Sequence, residues 1–397
     1  MSRKRTRVGP LATPESTADP LDVDALLDDQ NTRIIVCCGS GGVGKTTTSA
    51  SLALRAAERG RKVVVLTIDP ARRLAQAMGI EALENTPRPV EGVNGGPGSL
   101  DAMMLDMKRT FDEVVEGQAS PEKAKQILEN PFYVALSSSF AGTQEYMAME
   151  KLGQLHRDAV ETGDYDLIVV DTPPSRSALD FLDAPERLSS FLDGKFIRLL
   201  TAPARGPARL MTAGFSMMTN ALTKILGATV LQDMQTFVAA FDTLFGGFRA
   251  RAQKTYALLQ AEGTAFLVVA APEPDALREA EYFVERLTGE DMPLAGLVVN
   301  RASTAPAGSL DADEAMAAAS RIDRTGAGDP EQTPGLTVAL LRLHADRIRI
   351  VEREAVLRRR FAAAHPAVPT AVVPALSTDV HDLAGLRRVG ELLAAQR

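Results

Sequence analysis

A glycine-rich segment between two apolar stretches constrains the fold of this chain more than any other feature. The segment runs from Gly39 to Thr46 with the sequence GSGGVGKT. Before it, Arg33–Cys38 is β-branched and apolar, and after it, Lys45–Arg59 has helical periodicity. The segment matches G-x-x-x-x-G-K-[ST], in which glycines let backbone N–H groups face phosphate oxygens. A strand, this loop and a helix together predict a phosphate-binding P-loop.

The chemistry of the P-loop predicts roles for its residues. We expect Lys45 to reach the β- and γ-phosphates and to act in catalysis, and Thr46 to offer its hydroxyl to Mg²⁺. The following helix adds the positive end of its dipole. The alternative is a glycine-rich turn with a chance lysine. The predicted nucleotide-binding residues in and beside the loop are Gly39, Ser40, Gly41, Gly42, Val43, Gly44, Lys45, Thr46 and Thr47.

Apolar runs alternate with helical patterns along much of the chain. Because these runs are continuous rather than alternating, they indicate a parallel sheet covered by helices on both faces. We therefore predict an α/β P-loop NTPase fold, with a mostly parallel sheet and a helical insertion subdomain. The strands predicted after the first are Lys62–Asp69, Ala102–Asp106, Leu167–Asp171, Ala265–Ala270, Gly296–Asn300 and Thr370–Val373.

The predicted domain organisation is a tail followed by one domain. Residues 1–30 mix prolines with scattered charges, which predicts a disordered tail, and residues 31–397 form the P-loop ATPase domain. The stretches at about 110–163 and 185–262 are longer than crossovers need, and their helical periodicity predicts insertions. Residues 302–334, rich in Ala, Gly, Pro and Asp, are predicted to form a mobile loop.

Two predicted strands end in a carboxylate. In such sheets, loops at the carboxyl ends of the strands meet the ligand. Asp69 follows one strand and is predicted to be catalytic, holding the attacking water. Asp171 ends another strand in the Walker B arrangement, which predicts that it holds Mg²⁺ directly or through water. The alternative role for each aspartate is a helix cap.

Composition excludes several other functions. The chain of 397 residues has a formal net charge of −7, which argues against binding nucleic acid non-specifically. Its two cysteines, Cys37 and Cys38, are adjacent in a strand and so point to opposite faces, and its four histidines lack ligand spacing. We therefore expect no zinc site. No apolar stretch is long enough to cross a membrane, and we expect a cytoplasmic protein.

The P-loop and the two carboxylate strand ends together resemble one family. These are the deviant-P-loop ATPases, which include the arsenical pump-driving (ArsA) type and the Get/TRC type that targets tail-anchored membrane proteins. The resemblance covers about residues 34–300 and the last strand, and is closest to bacterial Get-like paralogues named as anion-transporting ATPases. Asp69-Pro70-Ala71 matches the family's switch I, and Asp171-Thr172-Pro173-Pro174-Ser175 its switch II. Ala141-Gly142-Thr143-Gln144-Glu145 resembles a short acidic loop of the family.

The resemblance also implies an adenine site and a dimer. Asn300 matches the residue that faces adenine, and Pro374 lies in the loop that flanks it. The family's second lysine reaches across a dimer to the partner's phosphates, but Ser40 stands at that position here. We therefore expect a dimer, formed either by two copies of the chain or with a lysine-bearing paralogue. Arg72, Arg73 and Arg176 are alternative sources of the missing charge.

The second predicted insertion has the opposite charge from the chain. No acidic residue occurs between Gly194 and Gln232, whereas five basic residues do. Apolar stripes at helical spacing, from Phe215 to Phe245, lie in and beyond this region. In the family this region forms an apolar client groove, so the resemblance implies a client helix or membrane-protein partner. The alternative is that the stripes pack on the ATPase core.

Three functions follow from these observations. The first is an ATPase whose nucleotide state controls a dimer and an apolar partner surface. The second is a nucleotide-binding regulatory subunit of a heterodimer with little turnover of its own. The third, a GTPase of the signal-recognition type, is disfavoured, because the strand ending in Asn300-Arg301-Ala302-Ser303 lacks the aspartate that reads guanine.

Overall fold

The structure of the chain is a computed structural model. The residues it describes are 19–69, 73–94, 96–130, 133–134, 143–173, 247, 250–306, 308–325 and 334–396. The second predicted insertion therefore lies almost wholly outside the described residues. So do Arg72, Arg176 and the part of the predicted switch II that follows Pro173.

Within the described residues, eight strands form one sheet in the order β3-β4-β2-β5-β1-β6-β7-β8. Seven of them are parallel, and only the short β3 is antiparallel to its neighbour β4. The predicted fold class is confirmed. The strands are β1 Ile34–Cys38, β2 Lys62–Thr67, β3 Arg88–Pro89, β4 Ser99–Met104, β5 Leu167–Asp171, β6 Thr264–Ala270, β7 Leu294–Ala302 and β8 Thr370–Pro374.

Helices connect these strands. Residues 250–260 are also helical and lead into β6. The predicted insertion at about 110–163 contains most of three helices, α4, α5 and α6. The helices are α1 Val23–Asp28, α2 Lys45–Glu58, α3 Arg73–Ala77, α4 Met107–Gln118, α5 Pro121–Leu128, α6 Thr143–Thr162, α7 Pro274–Gly289, α8 Ala312–Thr325, α9 Pro334–Ala364 and α10 Leu383–Ala394.

The core has two layers, one on each face of the sheet. Alternate residues of β1 supply both layers: Ile34, Val36 and Cys38 enter one, whereas Ile35 and Cys37 enter the other. The first layer packs against α4, α6 and α7, and the second against α1, α2 and α10. Every residue of β1 is buried, which explains why its sequence is a continuous apolar run. Burial also raises the pKa of both cysteine thiols.

The prediction of a disordered tail over residues 1–30 is wrong for its last part. Residues 21–28 pack on the sheet, with Leu21, Val23 and Leu27 buried in the second layer. Asp22 caps α1, and the backbone of Pro20 forms a bridge to Thr370 of β8. Burial of these three apolar side chains is enough to dock this short segment, although prolines precede it.

The prediction of a mobile loop at 302–334 is also wrong for much of its length. Residues Ala312–Thr325 form α8, which packs against α9 as a helical hairpin. The interface uses small side chains, Ala312, Ala315 and Ala345, together with Ile348. The composition of this segment, rich in Ala, Gly, Pro and Asp, suggests a loop. Alanine is nevertheless the best helix former, and the alanine-rich part is stable as a helix when it packs against α9. Several predicted strand ends also differ: β2 ends at Thr67, β4 runs from Ser99 to Met104, and β7 runs from Leu294 to Ala302.

Arg61 ties the N-terminal segment to the sheet. Its side chain is 3% exposed, and its Nε is 2.8 Å from Oδ1 of Asp166. Its other nitrogens donate to the backbone carbonyls of Leu27, Asp29 and Thr32, at 3.2, 3.0 and 2.8 Å. One buried guanidinium thus satisfies the carbonyls at the end of α1 and in the turn that leads into β1.

Arg61→Ala is therefore expected to lower the free energy of unfolding by roughly 2–4 kcal/mol, because it leaves a carboxylate and several carbonyls unpaired. Urea denaturation measures this loss. Arg59→Ala is the matched control: Arg59 pairs with Asp28 at the surface, where a pair contributes at most ~1 kcal/mol. Equal losses in the two variants would contradict the role given to Arg61.

Candidate functional site

The P-loop leaves the sheet at the end of β1, in the centre of the sheet. At Gly39, φ is +147°, and a Cβ atom there would lie 2.1 Å from the carbonyl oxygen of Val269 in β6. Only glycine fits between the two strands at this point. The loop then enters α2, whose first helical hydrogen bond runs from Thr48 N–H to Gly44 O, at 2.9 Å. The preceding N–H groups have no acceptor within the helix and are available to an anion.

The end of β7 braces the outside of the loop. Asn300 is buried, and its Nδ2 donates to the carbonyl of Val43 at 2.9 Å. This amide nitrogen occupies the space that a Cβ atom on Gly44 would need, at 2.2 Å. Gly44 has φ of +95° and caps α2. Position 44 therefore requires glycine for two reasons: its backbone conformation disfavours other residues, and Asn300 leaves no space for a side chain.

Arg301 is the second brace. Its Nη1 donates to the carbonyl of Gly42 at 3.0 Å, and its backbone has a φ of +61°, which is unusual for a residue other than glycine. The loop that follows is held by α9: the N–H and the hydroxyl of Ser303 donate to the two oxygens of Glu354, at 2.7 and 2.8 Å. The strained residue Arg301 is therefore held on one side by its own bond to Gly42 and on the other by the bonds between Ser303 and Glu354.

Lys45 lies beneath the loop. Its Nζ donates to the carbonyl of Ser40 at 2.8 Å, and its side chain is buried. Burial lowers the pKa of Lys45, and the nearby carboxylates of Asp171 and Asp69 act in the opposite direction. The ammonium group is therefore a poorly hydrated cation beside a glycine-rich loop, a position in which it would bind phosphate strongly.

Asp171 lies at the end of β5, between β1 and β2. It is fully buried, and its Oδ2 accepts hydrogen bonds from the hydroxyls of Thr46 at 2.8 Å and Thr67 at 2.9 Å. Burial raises the pKa of Asp171 to about 6, and the two hydroxyls lower it in part. Its Oδ1 is buried and has no hydrogen-bond donor among the described residues. A charged oxygen in this position favours binding of a cation.

Asp69 follows β2 on the same edge of the sheet. Its backbone N–H donates to the hydroxyl of Thr67 at 3.2 Å, so the residue that contacts Asp171 also shapes the loop of Asp69. Asp69 is 9% exposed and lies in the wall of a cleft beside the P-loop. Neither aspartate is the N-cap of a described helix.

The cleft has a volume of about 650 Å³ and brings together most of the predicted site residues. Its walls include the end of β7, the end of β8 and the loop before α10. Asp171 lies behind Thr46 rather than in the wall. The predicted residues that line the cleft are Gly42, Gly44, Lys45, Thr46, Thr47, Asp69, Asn300 and Pro374.

The remaining P-loop residues face elsewhere. Ser40, Gly41 and Val43 line a second cleft of about 380 Å³ on the other side of the loop. Gly39 packs against β6 and lines neither cleft. Arg301 lines both clefts, so it marks the ridge between them.

Two residues of the site were missed by sequence reasoning: Thr67 and Arg301. Thr67 could have been found from strand order, because it is level with Asp171 once β2 and β5 are paired. Arg73 had been considered only as a source of charge, and it lines the larger cleft. Arg301 follows the predicted Asn300, but its backbone conformation has no signal in the sequence.

Comparison with known proteins identifies the family. The profile of the family described as "Anion-transporting ATPase" matches residues 32–322, nearly three quarters of the chain. This chain belongs to the anion-transporting ATPase family. It is therefore an ATPase, as predicted, and the family resemblance drawn from the P-loop and its two strand ends is confirmed.

Curated relatives agree with this assignment. ATPase GET3 of Malassezia globosa is 29% identical over 292 residues, which cover 74% of this chain and 79% of the relative. ATPase GET3 of Podospora anserina is 29% identical over 281 residues, covering 70% and 76%. An ATPase ASNA1 homolog of Entamoeba dispar is 26% identical over 292 residues, covering 72% and 81%.

Among the described residues, no group of three or more His, Cys, Asp or Glu side chains is arranged to hold a metal ion. The absence of zinc remains a prediction. In the same part of the chain, no helix is both long enough and apolar enough to span a membrane.

Gly39→Ala is expected to disrupt the site, because the added methyl group would meet the backbone of β6 and the φ of Gly39 is unfavourable for alanine. We expect a loss of roughly 2 kcal/mol or more in the free energy of unfolding, together with weaker ATP binding. Calorimetry and urea denaturation measure the two effects. Gly117→Ala in α4, where a Cβ meets nothing within 4 Å, is the control and should be neutral or stabilising. Normal ATP binding by Gly39→Ala would contradict this account of the loop.

Proposed function

We propose that the larger cleft binds Mg·ATP with its phosphates at the P-loop and that Asp69 acts in its hydrolysis. The observation that carries this proposal is the convergence of Lys45, Thr46, Asp69 and Asp171 at the ends of three neighbouring strands. A cation, a hydroxyl and two carboxylates with distinct surroundings are the groups that phosphoryl transfer to water requires. The family membership supports ATP as the substrate.

The cleft residues differ in chemistry from one strand end to the next, which supports an orientation for ATP. Lys45 and the start of α2 are suited to phosphates. Asn300 lies at the end of β7, directly beside the P-loop, and Pro374 lies at the end of β8, farther along the sheet; we propose these two as adenine contacts. The Nδ2 of Asn300 donates one hydrogen bond to the carbonyl of Val43, and its side-chain carbonyl could accept a hydrogen bond from the exocyclic amine of a base.

Thr46 and Asp171 fit the cofactor Mg²⁺. Both supply oxygen, the ligand that Mg²⁺ prefers, and the oxygen Oδ1 of Asp171 is buried without a donor in the described part of the chain. Bound there, Mg²⁺ would neutralise charge on the β- and γ-phosphates. The chain's own contribution is to hold the hydroxyl of Thr46 and the carboxylate of Asp171 in contact before any ligand arrives.

Asp69 is proposed to orient the attacking water and to accept its proton. Its carboxylate lies on a loop rather than within a strand, and that loop is held at Thr67 by hydrogen bonds. Asp171 is unsuited to this role because it is completely buried behind Thr46. We therefore propose different roles for the two carboxylates: Asp171 binds the metal ion, and Asp69 orients the attacking water.

Asp69→Asn is expected to keep ATP binding within a fewfold of wild type but to lower turnover by ~10²–10⁴, because it removes a proton acceptor with little change in volume. Lys45→Ala is the contrasting variant and should abolish ATP binding. Calorimetric titration with Mg·ATP and a steady-state phosphate-release assay separate the two effects. Normal turnover by Asp69→Asn, or normal ATP affinity of Lys45→Ala, would refute the corresponding role.

The dimer is the second part of the proposal. By family resemblance, two copies or paralogues face each other across their nucleotides, and a change of nucleotide alters an apolar surface for a client helix or membrane-protein partner. Ser40 lines the smaller cleft, beside the ridge marked by Arg301. Its hydroxyl supplies no positive charge to a partner's phosphates, so the isolated chain is proposed to be slow.

Ser40→Lys tests this part. An additional cation at the phosphates accelerates transfer by ~10³–10⁵ in related chemistry, so we expect the substitution, or a lysine-bearing paralogue, to raise turnover strongly. Single-turnover hydrolysis at saturating ATP is the measurement. Fast turnover by the wild type that is unchanged by Ser40→Lys would show that an arginine already provides the charge. Arg73, in the wall of the larger cleft, would then be tested by Arg73→Gln.

A regulatory subunit is the second candidate function, and it is Ser40 that favours it. In this case the chain would bind ATP in the same cleft and act on a partner's turnover while hydrolysing little itself. Complete absence of turnover by wild type and by Ser40→Lys, with intact ATP binding, would favour this candidate.

A further inference from the structure

The end of β7 carries a β-bulge beside the P-loop. Two residues of β7, Asn300 and Arg301, lie opposite a single residue of β8, Val373. A bulge of this kind re-aims side chains and interrupts the regular pairing of the strands. Here both side chains reach the P-loop and donate to the carbonyls of Val43 and Gly42, at 2.9 and 3.0 Å. The two braces of the loop therefore lie where regular strand pairing is interrupted.

The chain is held in place directly after the bulge. Arg301 has a φ of +61°, a conformation that a residue other than glycine keeps only when its surroundings fix it. Ser303 follows two positions later, and both oxygens of Glu354 accept hydrogen bonds from it. One bond comes from the backbone N–H at 2.7 Å and the other from the hydroxyl at 2.8 Å. A single carboxylate thus fixes both the backbone and the side chain of Ser303.

Glu354 is itself held in place by the packing of α9. Phe361, about two turns later, is buried in the first core layer. About two turns earlier, the Nε of Arg347 donates to the carbonyl of Thr304 at 2.9 Å. Two side chains of α9 therefore hold Ser303 and Thr304, and the helix that carries them is restrained by the core. Glu354 is a fixed point for the end of β7.

Glu354 is not placed to contact ATP directly. It lines the smaller cleft, together with Ser40 and Arg301, whereas the proposed nucleotide site is the larger cleft. A carboxylate is also unsuited to contact phosphates, because like charges repel. Any effect of Glu354 on ATP binding would therefore be carried by the end of β7. The profile of the family ends at residue 322, before α9 begins, so Glu354 lies in a part of the chain that this profile does not cover.

We propose that Glu354 is a positioning residue for ATP binding. By holding Ser303, it keeps the bulge in the conformation in which Asn300 and Arg301 brace the P-loop. The inference rests on the proposed binding of Mg·ATP at that loop. If the contact with Ser303 served only the stability of the α8–α9 hairpin, its loss would lower the free energy of unfolding and leave the ATP affinity of the folded protein unchanged.

Calorimetric titration with Mg·ATP measures the effect. Glu354→Ala removes both acceptors, and we expect the dissociation constant to rise about ten- to hundredfold, because small misplacements of binding groups are costly. Glu354→Gln should stay within about threefold of the wild type, because an amide can accept from the N–H of Ser303 and donate to its hydroxyl. Glu352→Ala is the matched control: Glu352 is exposed on the same helix, and its loss should leave ATP affinity unchanged.

A double-mutant cycle distinguishes positioning from a purely structural role. Arg301→Met removes the donor to Gly42 and should weaken ATP binding to a similar extent as Glu354→Ala. Adding Glu354→Ala to Arg301→Met should then change the affinity by less than about threefold, because both substitutions act through the same bond. Urea denaturation shows whether each variant is folded. Ser303→Ala, which removes only the hydroxyl bond, takes the place of Glu354→Ala if that variant does not fold, and a smaller loss of affinity is expected from it.

Three results would overturn the inference and leave the proposed function intact. They are wild-type ATP affinity of the folded Glu354→Ala or Ser303→Ala variant, equal losses in Glu354→Ala and Glu354→Gln, and fully additive effects of Glu354→Ala and Arg301→Met. Absence of ATP binding by the wild type would instead refute the proposed function, and this inference with it.

Discussion

The site depends most on the buried carboxylate of Asp171. One of its oxygens receives hydroxyl hydrogen bonds from two different elements, Thr46 at the start of α2 and Thr67 at the end of β2. Through these bonds a single side chain fixes the P-loop helix, the second strand and the loop of Asp69 relative to one another. Its other oxygen is left without a protein donor in the described residues, an arrangement that is costly in a core and suited to a metal site.

Hydrogen bonds from other side chains hold the P-loop from its carbonyl side. Lys45 donates to Ser40, Arg301 to Gly42 and Asn300 to Val43. Because these three bonds use carbonyl groups, they define the path of the loop without consuming the N–H groups that we propose to bind phosphate. The shape of the loop is therefore determined by residues more than 250 positions away in the sequence as well as by its glycines.

Much of the fold could be predicted because parallel strands buried on both faces are continuous apolar runs. Such runs located β1, β5, β6 and β8 within one residue at each end. The aspartates at strand ends were found by the same reasoning, since these ends meet the ligand. The errors occurred where stability comes from tertiary contacts. Neither the docking of α1, which depends on Arg61, nor the alanine-rich α8, which depends on α9, has a local signal of comparable strength.

The position of the α8–α9 hairpin in the chain connects it to the site. The hairpin is inserted between β7 and β8, and the ends of both strands, at Asn300 and Pro374, line the larger cleft. At its base, α9 holds Ser303 and Thr304 through Glu354 and Arg347. The two braces of the P-loop, Asn300 and Arg301, are separated from Ser303 only by Ala302. A displacement of α9 would therefore reach the carbonyl of Gly42 through a short series of hydrogen-bonded residues. Among them, Arg301 has the backbone conformation that is least stable on its own.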